Sequence, residues 1–221
     1  MKKILFAVLT LCLLLALCAC GDTGAAEPAG LKGKTPAEGE LPLGVLTQGA
    51  DETRYENEYL GFGCRLDGNW YVADEEQLAQ LAGISMDVYE GTKYEEAMRN
   101  AQVFYDLYAE SMELPGTINL NFTQSSVPAG TTAEQYLSLA EKQMKQALEA
   151  GGIQNVEVER RTVTFAGSET EGLWFYGMNQ GVKYYGLQVY FTTGGHFATL
   201  TLGTFGADKT ETLLELFYPL S

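Results

Sequence analysis

The chain has 221 residues, 29 of them acidic against 14 basic, which gives a formal net charge of −15 with a single histidine. That excess of carboxylates repels nucleic acid and anionic headgroups and argues against direct adhesion to polyanionic envelope polymers. A hydrophobic fraction of 46% is ample for a core, and the length fits one domain of ordinary size with an N-terminal extension.

Lys2 and Lys3 precede an uncharged apolar run over 4–17. This is the layout of a secretory signal, and it is too short for a comfortable membrane span. The run ends Leu17-Cys18-Ala19-Cys20-Gly21, which resembles a bacterial lipobox. The resemblance implies transfer of a diacylglyceryl group, with acyl chains such as palmitate, to the thiol of Cys20, and cleavage before it. Leu17 is too large for the position that lipidation of Cys18 would require. Two acyl chains anchor durably where one is marginal. Residues 1–19 are therefore expected to be a lipoprotein signal peptide, and the mature chain is expected on the extracytoplasmic face of the cell membrane. Losing Lys2 and Lys3 takes its charge to −17. Of Cys12, Cys18, Cys20 and Cys64, only Cys64 stays free, so no internal disulfide is expected.

Residues 21–50 hold seven glycines, three prolines and no aromatic residue. Such composition predicts a flexible linker over 20–52, with a reach of roughly 30 Å. Leu41, Leu43, Val45 and Leu46 are its apolar exception. The folded domain is expected over 53–221. Strands are predicted over 55–59 and 62–66, and Asp67-Gly68-Asn69 is turn chemistry. Asp74 is positioned to cap a helix over 75–82, and a second short helix follows over 93–100. Residues 103–109 are apolar on both parities. Ile118, Leu120 and Phe122 alternate with Thr117, Asn119, Asn121 and Thr123, a strand with one apolar and one polar face.

The strongest helix spans 133–150, with one apolar stripe through Tyr136, Leu137, Ala140, Met144 and Leu148. Thr131 with Glu134 and Thr132 with Gln135 are capping-box patterns, and Gly151-Gly152 ends the helix. Four strands then form a meander, turning at Gly167-Ser168, Asn179-Gln180-Gly181 and Gly194-Gly195. Val156 and Val158 share one parity while Val163 and Phe165 share the other, which predicts a bulge or bend near Arg160-Arg161. A last helix is expected from Asp208 to Pro219. Strands such as 173–176 and 184–187 are apolar on both parities, so both faces of the sheet should be covered. The expected fold is α+β, an α/β/α sandwich around a mostly antiparallel sheet.

The run Tyr59-Leu60-Gly61-Phe62-Gly63-Cys64-Arg65-Leu66, with Trp70 after it, resembles the opening of PsbP-like domains. Their order of long helix, aromatic meander and terminal helix is similar across 53–220, although Asp67-Gly68-Asn69 lacks the proline common before that tryptophan. The chain also looks like a group of lipoproteins of clostridia-like Gram-positive bacteria. The resemblance implies an accessory or assembly role, and no metal-site histidines of PsbP-like domains find a match.

Candidate chemistry is sparse. Any Ser-His-Asp or Cys-His arrangement would have to use His196, which flanks a turn. Cys64 reads as a small core residue. Zinc needs more His and Cys ligands than the mature domain offers, so no metal, cofactor or catalytic residue is assigned. Trp174, Tyr176, Tyr184 and Tyr190 lie on neighbouring strands and are the candidate platform for a sugar or peptide; their plainer reading is sheet core. The expected function is a non-enzymatic interaction or accessory module with an envelope protein partner. The rivals are a small-ligand-binding lipoprotein and an envelope hydrolase built on paired carboxylates.

Overall fold

The computed structural model describes residue 31 and residues 33–84, 94–99, 101–111, 113–124 and 133–220. The expected signal peptide with Cys20, and Thr131 and Thr132 of the expected capping boxes, lie outside the described residues. In chain order the elements are β1 (Val45–Gln48), β2 (Glu52–Asn57), β3 (Phe62–Asp67), β4 (Trp70–Val72), α1 (Glu75–Leu81), α2 (Tyr94–Met98), β5 (Val103–Ser111), β6 (Gly116–Gln124), α3 (Ala133–Ala150), β7 (Gln154–Phe165), β8 (Ser168–Asn179), β9 (Val182–Thr193), β10 (His196–Phe205), α4 (Thr210–Leu214) and β11 (Phe217–Pro219).

Local chemistry sets the starts and stops. Asp74 Oδ1 accepts from the Gln77 N–H, and the Gln77 side chain accepts from the Asp74 N–H, a complete capping box. At the C-terminal end of α3 the Ile153 N–H reaches the Leu148 carbonyl while Gly152 takes φ +85°, which closes the helix. The hairpin turns use left-handed residues at Ala166-Gly167, Gln180-Gly181 and Gly194-Gly195, as tight antiparallel connections require.

The fold is α+β. Seven strands form one sheet in the order β4-β5-β6-β10-β9-β8-β7, and four form a second in the order β1-β2-β3-β11. All the pairings are antiparallel. One face of the large sheet, the helix face, takes the apolar stripe of α3: Leu137, Ala140, Met144 and Leu148 cluster with Val156, Leu173, Phe175 and Tyr184. The opposite, inner face packs on the small sheet together with α1 and α2. Sheet therefore supplies much of the second covering layer, where a helix layer was expected. The reason lies in β2 and β3: paired Tyr55 and Cys64, with Leu66, bury one parity completely and need an apolar sheet to face. Phe62 is the centre of this core, with ring centroids 4.9 Å from Phe165, 5.2 Å from Phe191 and 5.8 Å from Phe217.

Three expectations are corrected. The Gly/Pro-rich stretch is not a free linker as far as Asp51. Leu31 and Leu41 are buried, Lys34 N–H bonds the Glu58 carbonyl, and Val45–Gln48 pairs along β2, so the folded part begins well before Thr53. Its glycines permit close approach: a Cβ on Gly33 would lie 1.9 Å from the Tyr59 carbonyl oxygen, and one on Gly44 2.4 Å from the Tyr55 ring.

The slip predicted at Arg160-Arg161 is absent. β7 pairs with β8 in unbroken register from Glu157 to Phe165, and the extra residue sits between Gln154 and Glu157, where Asn155 has φ +54°. The apolar parity changes because the cover changes. Val156 and Val158 lie under α3, whereas Val163 and Phe165 lie against the inner layer. The two arginines accordingly point to opposite faces: Arg160 bonds Ser138 Oγ at 2.6 Å, and Arg161 stacks 3.8 Å from the Trp174 ring centroid.

The terminal helix is short. It ends at Leu214, and Phe217–Pro219 pairs with β3 instead, with Phe217 opposite Cys64. Burying Phe217 beside Phe62 and Phe165 accounts for the exchange of helix for strand.

Candidate functional site

The four aromatic residues considered as a candidate platform are divided by the sheet and packed into its two cores. Trp174 and Tyr176 face the inner layer, whereas Tyr184 and Tyr190 face α3. Alternation along β8 and β9 makes this unavoidable, since β8 presents Leu173 and Phe175 to the helix and Trp174 and Tyr176 to the other side. Trp174 is held in place: its indole N–H donates to Asp208 Oδ2 at 2.8 Å, and Arg161 covers its ring. Burial pushes the Asp208 carboxyl up, but bonds from Thr210 and Trp174 and the charge of Arg161 outweigh it and hold the group below the usual range. Cys20 lies outside the described residues.

A second polar cluster joins the two sheets. Asp106, at the β5 irregularity between Tyr105 and Leu107, accepts from the Tyr55 hydroxyl at 2.5 Å, the Asn57 amide at 2.9 Å and the Gly44 N–H at 2.9 and 3.0 Å. Burial raises its carboxyl to about 6, against the lowering effect of those three donors. Every contact goes to the fold, and the cluster pins the N-terminal segment to the large sheet.

The third cluster was missed by sequence reasoning. On the helix face, the register places Asn119 opposite Thr201 and Thr201 opposite Gln188; one row along, Asn121 faces Thr199 and Thr199 faces Tyr190. Directly opposed residues share a face. The result is a wall of uncharged amides and hydroxyls across β6, β10 and β9. Asn119 is 1% exposed, Gln188 3%, Thr201 4% and Asn121 5%, so the wall is as buried as many core positions. Both ends of the Gln188 amide are engaged: its Oε1 accepts from the Tyr190 hydroxyl at 2.6 Å, and its Nε2 donates to Thr201 Oγ1 at 3.0 Å. Asn119 Oδ1, next in the row, is buried with no hydrogen-bond partner. The apolar cluster under α3 includes no residue of β5 or β6, so the stripe stops short of this wall. At the border stand Tyr136, Tyr190 and Phe197, with Tyr136 4.7 Å from Phe197 and 5.6 Å from Tyr190 between centroids. The polar parity from Thr117 to Thr123, on a strand meant to be covered on both faces, was the available signal.

The remaining candidates are Cys64 and His196. Cys64 is fully buried, and burial pushes its thiol well up. His196 is partly buried against Phe104 and Phe122, and burial lowers its pKa. Among the described residues no three His, Cys, Asp or Glu side chains converge in a way that could hold a metal ion, and no helix is long and apolar enough to cross a membrane. A shallow cleft of about 470 Å³ lies between β7 and α4 and includes Glu211 and Glu215. Both are exposed and sit one turn apart on the same helix, hence on one wall of the cleft. Acid–base cleavage of a glycosidic bond needs carboxyl groups flanking that bond.

The sequence matches no family model, and no curated protein matches it either. Among solved structures the chain is similar to the crystal structure of LpqN, involved in cell envelope biogenesis of Mycobacterium tuberculosis. The identity is 10% and the TM-score 0.37, over 80% of this chain and 91% of that one.

Proposed function

We propose that this protein is a lipid-anchored lipoprotein of the extracytoplasmic face of the cell membrane, and that it works there without catalysis, as an interaction or accessory module for an envelope protein. The observation that carries the reading is the N-terminal sequence: Lys2-Lys3, the uncharged run over 4–17, and Leu17-Cys18-Ala19-Cys20. The likeness of residues 59–66 and Trp70 to PsbP-like domains, and of the chain to lipoproteins of clostridia-like Gram-positive bacteria, belongs to the same proposal. PsbP-like domains are mostly accessory or assembly factors. The shifted carboxyls Asp106 and Asp208 are both engaged by structural donors, which supports a non-catalytic role.

Two measurements test this. Cys20→Ala should release the protein from the membrane fraction, and a variant that fractionates as wild type does overturns the anchor. For the partner, the soluble chain from Gly21 onward is the bait, because Leu31 and β1 belong to the fold. The mature charge of −17 favours a basic partner, whose capture weakens as salt screens exposed charges beyond about 8–10 Å. Retention of one specific envelope protein at low salt, lost at high salt, supports the module; no retention at either salt overturns it.

A further inference from the structure

We infer that the polar wall on the helix face of β6, β10 and β9 is a binding site for a neutral, polyhydroxylated small molecule of the sugar class. This goes beyond anchoring and partner contact and is independent of both.

The first support is the unpartnered group. Asn119 is 1% exposed and its Oδ1 has no donor, although nine in ten or more buried polar atoms in folded proteins have one. A strand at the middle of a sheet, flanked by β5 and β10, has every opportunity to carry an apolar residue there. β6 does so on its other parity, where Ile118, Leu120 and Phe122 are completely buried. The orphan stands at the end of an ordered relay in which the Tyr190 hydroxyl bonds Gln188 and Gln188 bonds Thr201. Such a relay fixes rotamers in advance and leaves the Asn119 oxygen at the end of the row with an acceptor capacity that the fold does not use.

The second support is chemical type. The wall is built of Asn, Gln, Thr and Tyr, which supply both donors and acceptors and suit ligand hydroxyls that also do both. By register, the described helix-face positions of β6, β9 and β10 carry no Lys, Arg or His. A phosphate or carboxylate would therefore find no countercharge on these three strands among the described residues. Glu110 of β5, on the same face opposite Thr117, would oppose an anion further.

The third support is the border. Tyr136, Tyr190 and Phe197 put aromatic surface beside the amides, and a sugar presents C–H faces next to its hydroxyls. The apolar stripe of α3 ends here, so the wall and the rings meet along one line.

The test uses the full mature chain in detergent, probed with glucose, galactose, N-acetylglucosamine and maltose, and with glucose 6-phosphate and glucuronate as charged controls. Calorimetry reads affinity, and the NMR signals of the Asn119 side-chain amide read the site. The expected result is saturable binding of at least one neutral sugar that moves the Asn119 signals, with the charged controls weaker by about tenfold or more. Asn119→Leu and Thr201→Val, each verified as folded by circular dichroism, should weaken that binding by about tenfold or more. If no neutral sugar binds or moves the Asn119 signals, if the charged controls bind equally well, or if both variants bind as tightly as wild type, the site is a structural polar cluster satisfied by water and the inference is overturned.

Discussion

The two faces of the large sheet are buried to a similar degree and differ in kind. Along β6, Ile118, Leu120 and Phe122 are fully buried on the inner face, while Asn119 and Asn121 are 1% and 5% exposed on the helix face. The inner face is mostly ring and aliphatic packing centred on Phe62, with the Asp106 cluster as its buried polar link to the small sheet. The helix face is divided between an apolar half under α3 and a hydrogen-bonded half that ends in an unmatched oxygen. The difference separates two jobs that burial alone does not distinguish. Apolar burial holds the layers together, whereas a polar wall costs stability and keeps a chemical surface inside the fold.

The largest expected effect is on the inner face. Phe62→Ala should destabilise the protein by about 3–5 kcal/mol in urea unfolding, since four neighbouring rings surround the site and cannot all collapse into the gap. A loss below about 1 kcal/mol would mean that the two sheets are not joined through this core.

Asp106 probes the polar link between the sheets. Its carboxyl titrates at about 6 when folded, against an ordinary value near 3.8. Between those values the folded protein holds a proton that the unfolded chain has released. The stabilisation from this group is therefore full below about pH 4 and is lost as pH rises through about 6, a change on the order of 2–3 kcal/mol. Asp106→Asn should remove that dependence, so the stability difference between wild type and variant should change across this window and be flat on either side. Equal pH profiles for the two proteins would refute the assignment.

The helix face should give the opposite sign. Without ligand, Asn119→Leu replaces an unmatched buried amide with an apolar group and should leave stability unchanged or raise it by about 1 kcal/mol. A loss on the scale of Phe62→Ala would show that the Asn119 amide is fully satisfied in the fold. Smallest of all, Arg161→Ala removes a partly exposed cation from the face of Trp174 and should cost about 0.5–1 kcal/mol in thermal unfolding. An effect several times larger would make the Arg161–Trp174–Asp208 group a core element rather than a surface clasp.

Short-range chemistry was legible from the sequence. The Asp74 cap, the stripe of α3, Gly151-Gly152 and the three glycine turns each act within a few residues, so no distant partner was needed to recognise them. The expected free stretch before Asp51 failed because composition describes freedom in an isolated chain. Gly33 and Gly44 are glycine because Tyr59 and Tyr55 leave no room for a side chain, and the tyrosines come from another strand and its following turn.

Placement of the chemistry belonged to tertiary structure. The parity change in β7 looked like a bulge because a sequence records which residues are apolar but not which layer covers them. One regular strand passes from beneath α3 to the edge of the inner layer. Trp174 and Tyr190 looked like neighbours on a platform until pleating put them on opposite faces. The polar Thr-Asn-Asn-Thr parity of β6 was visible in the sequence, but that it lies buried was decided by β5, β10 and the layers around them. The sequence by itself determined the Asp74 cap, the long helix α3, the glycine turns and the α+β class, because each rests on local spacing and composition. Which polar groups are enclosed, and that Asn119 Oδ1 is left without a partner, was decided only when strands far apart in the chain came into register.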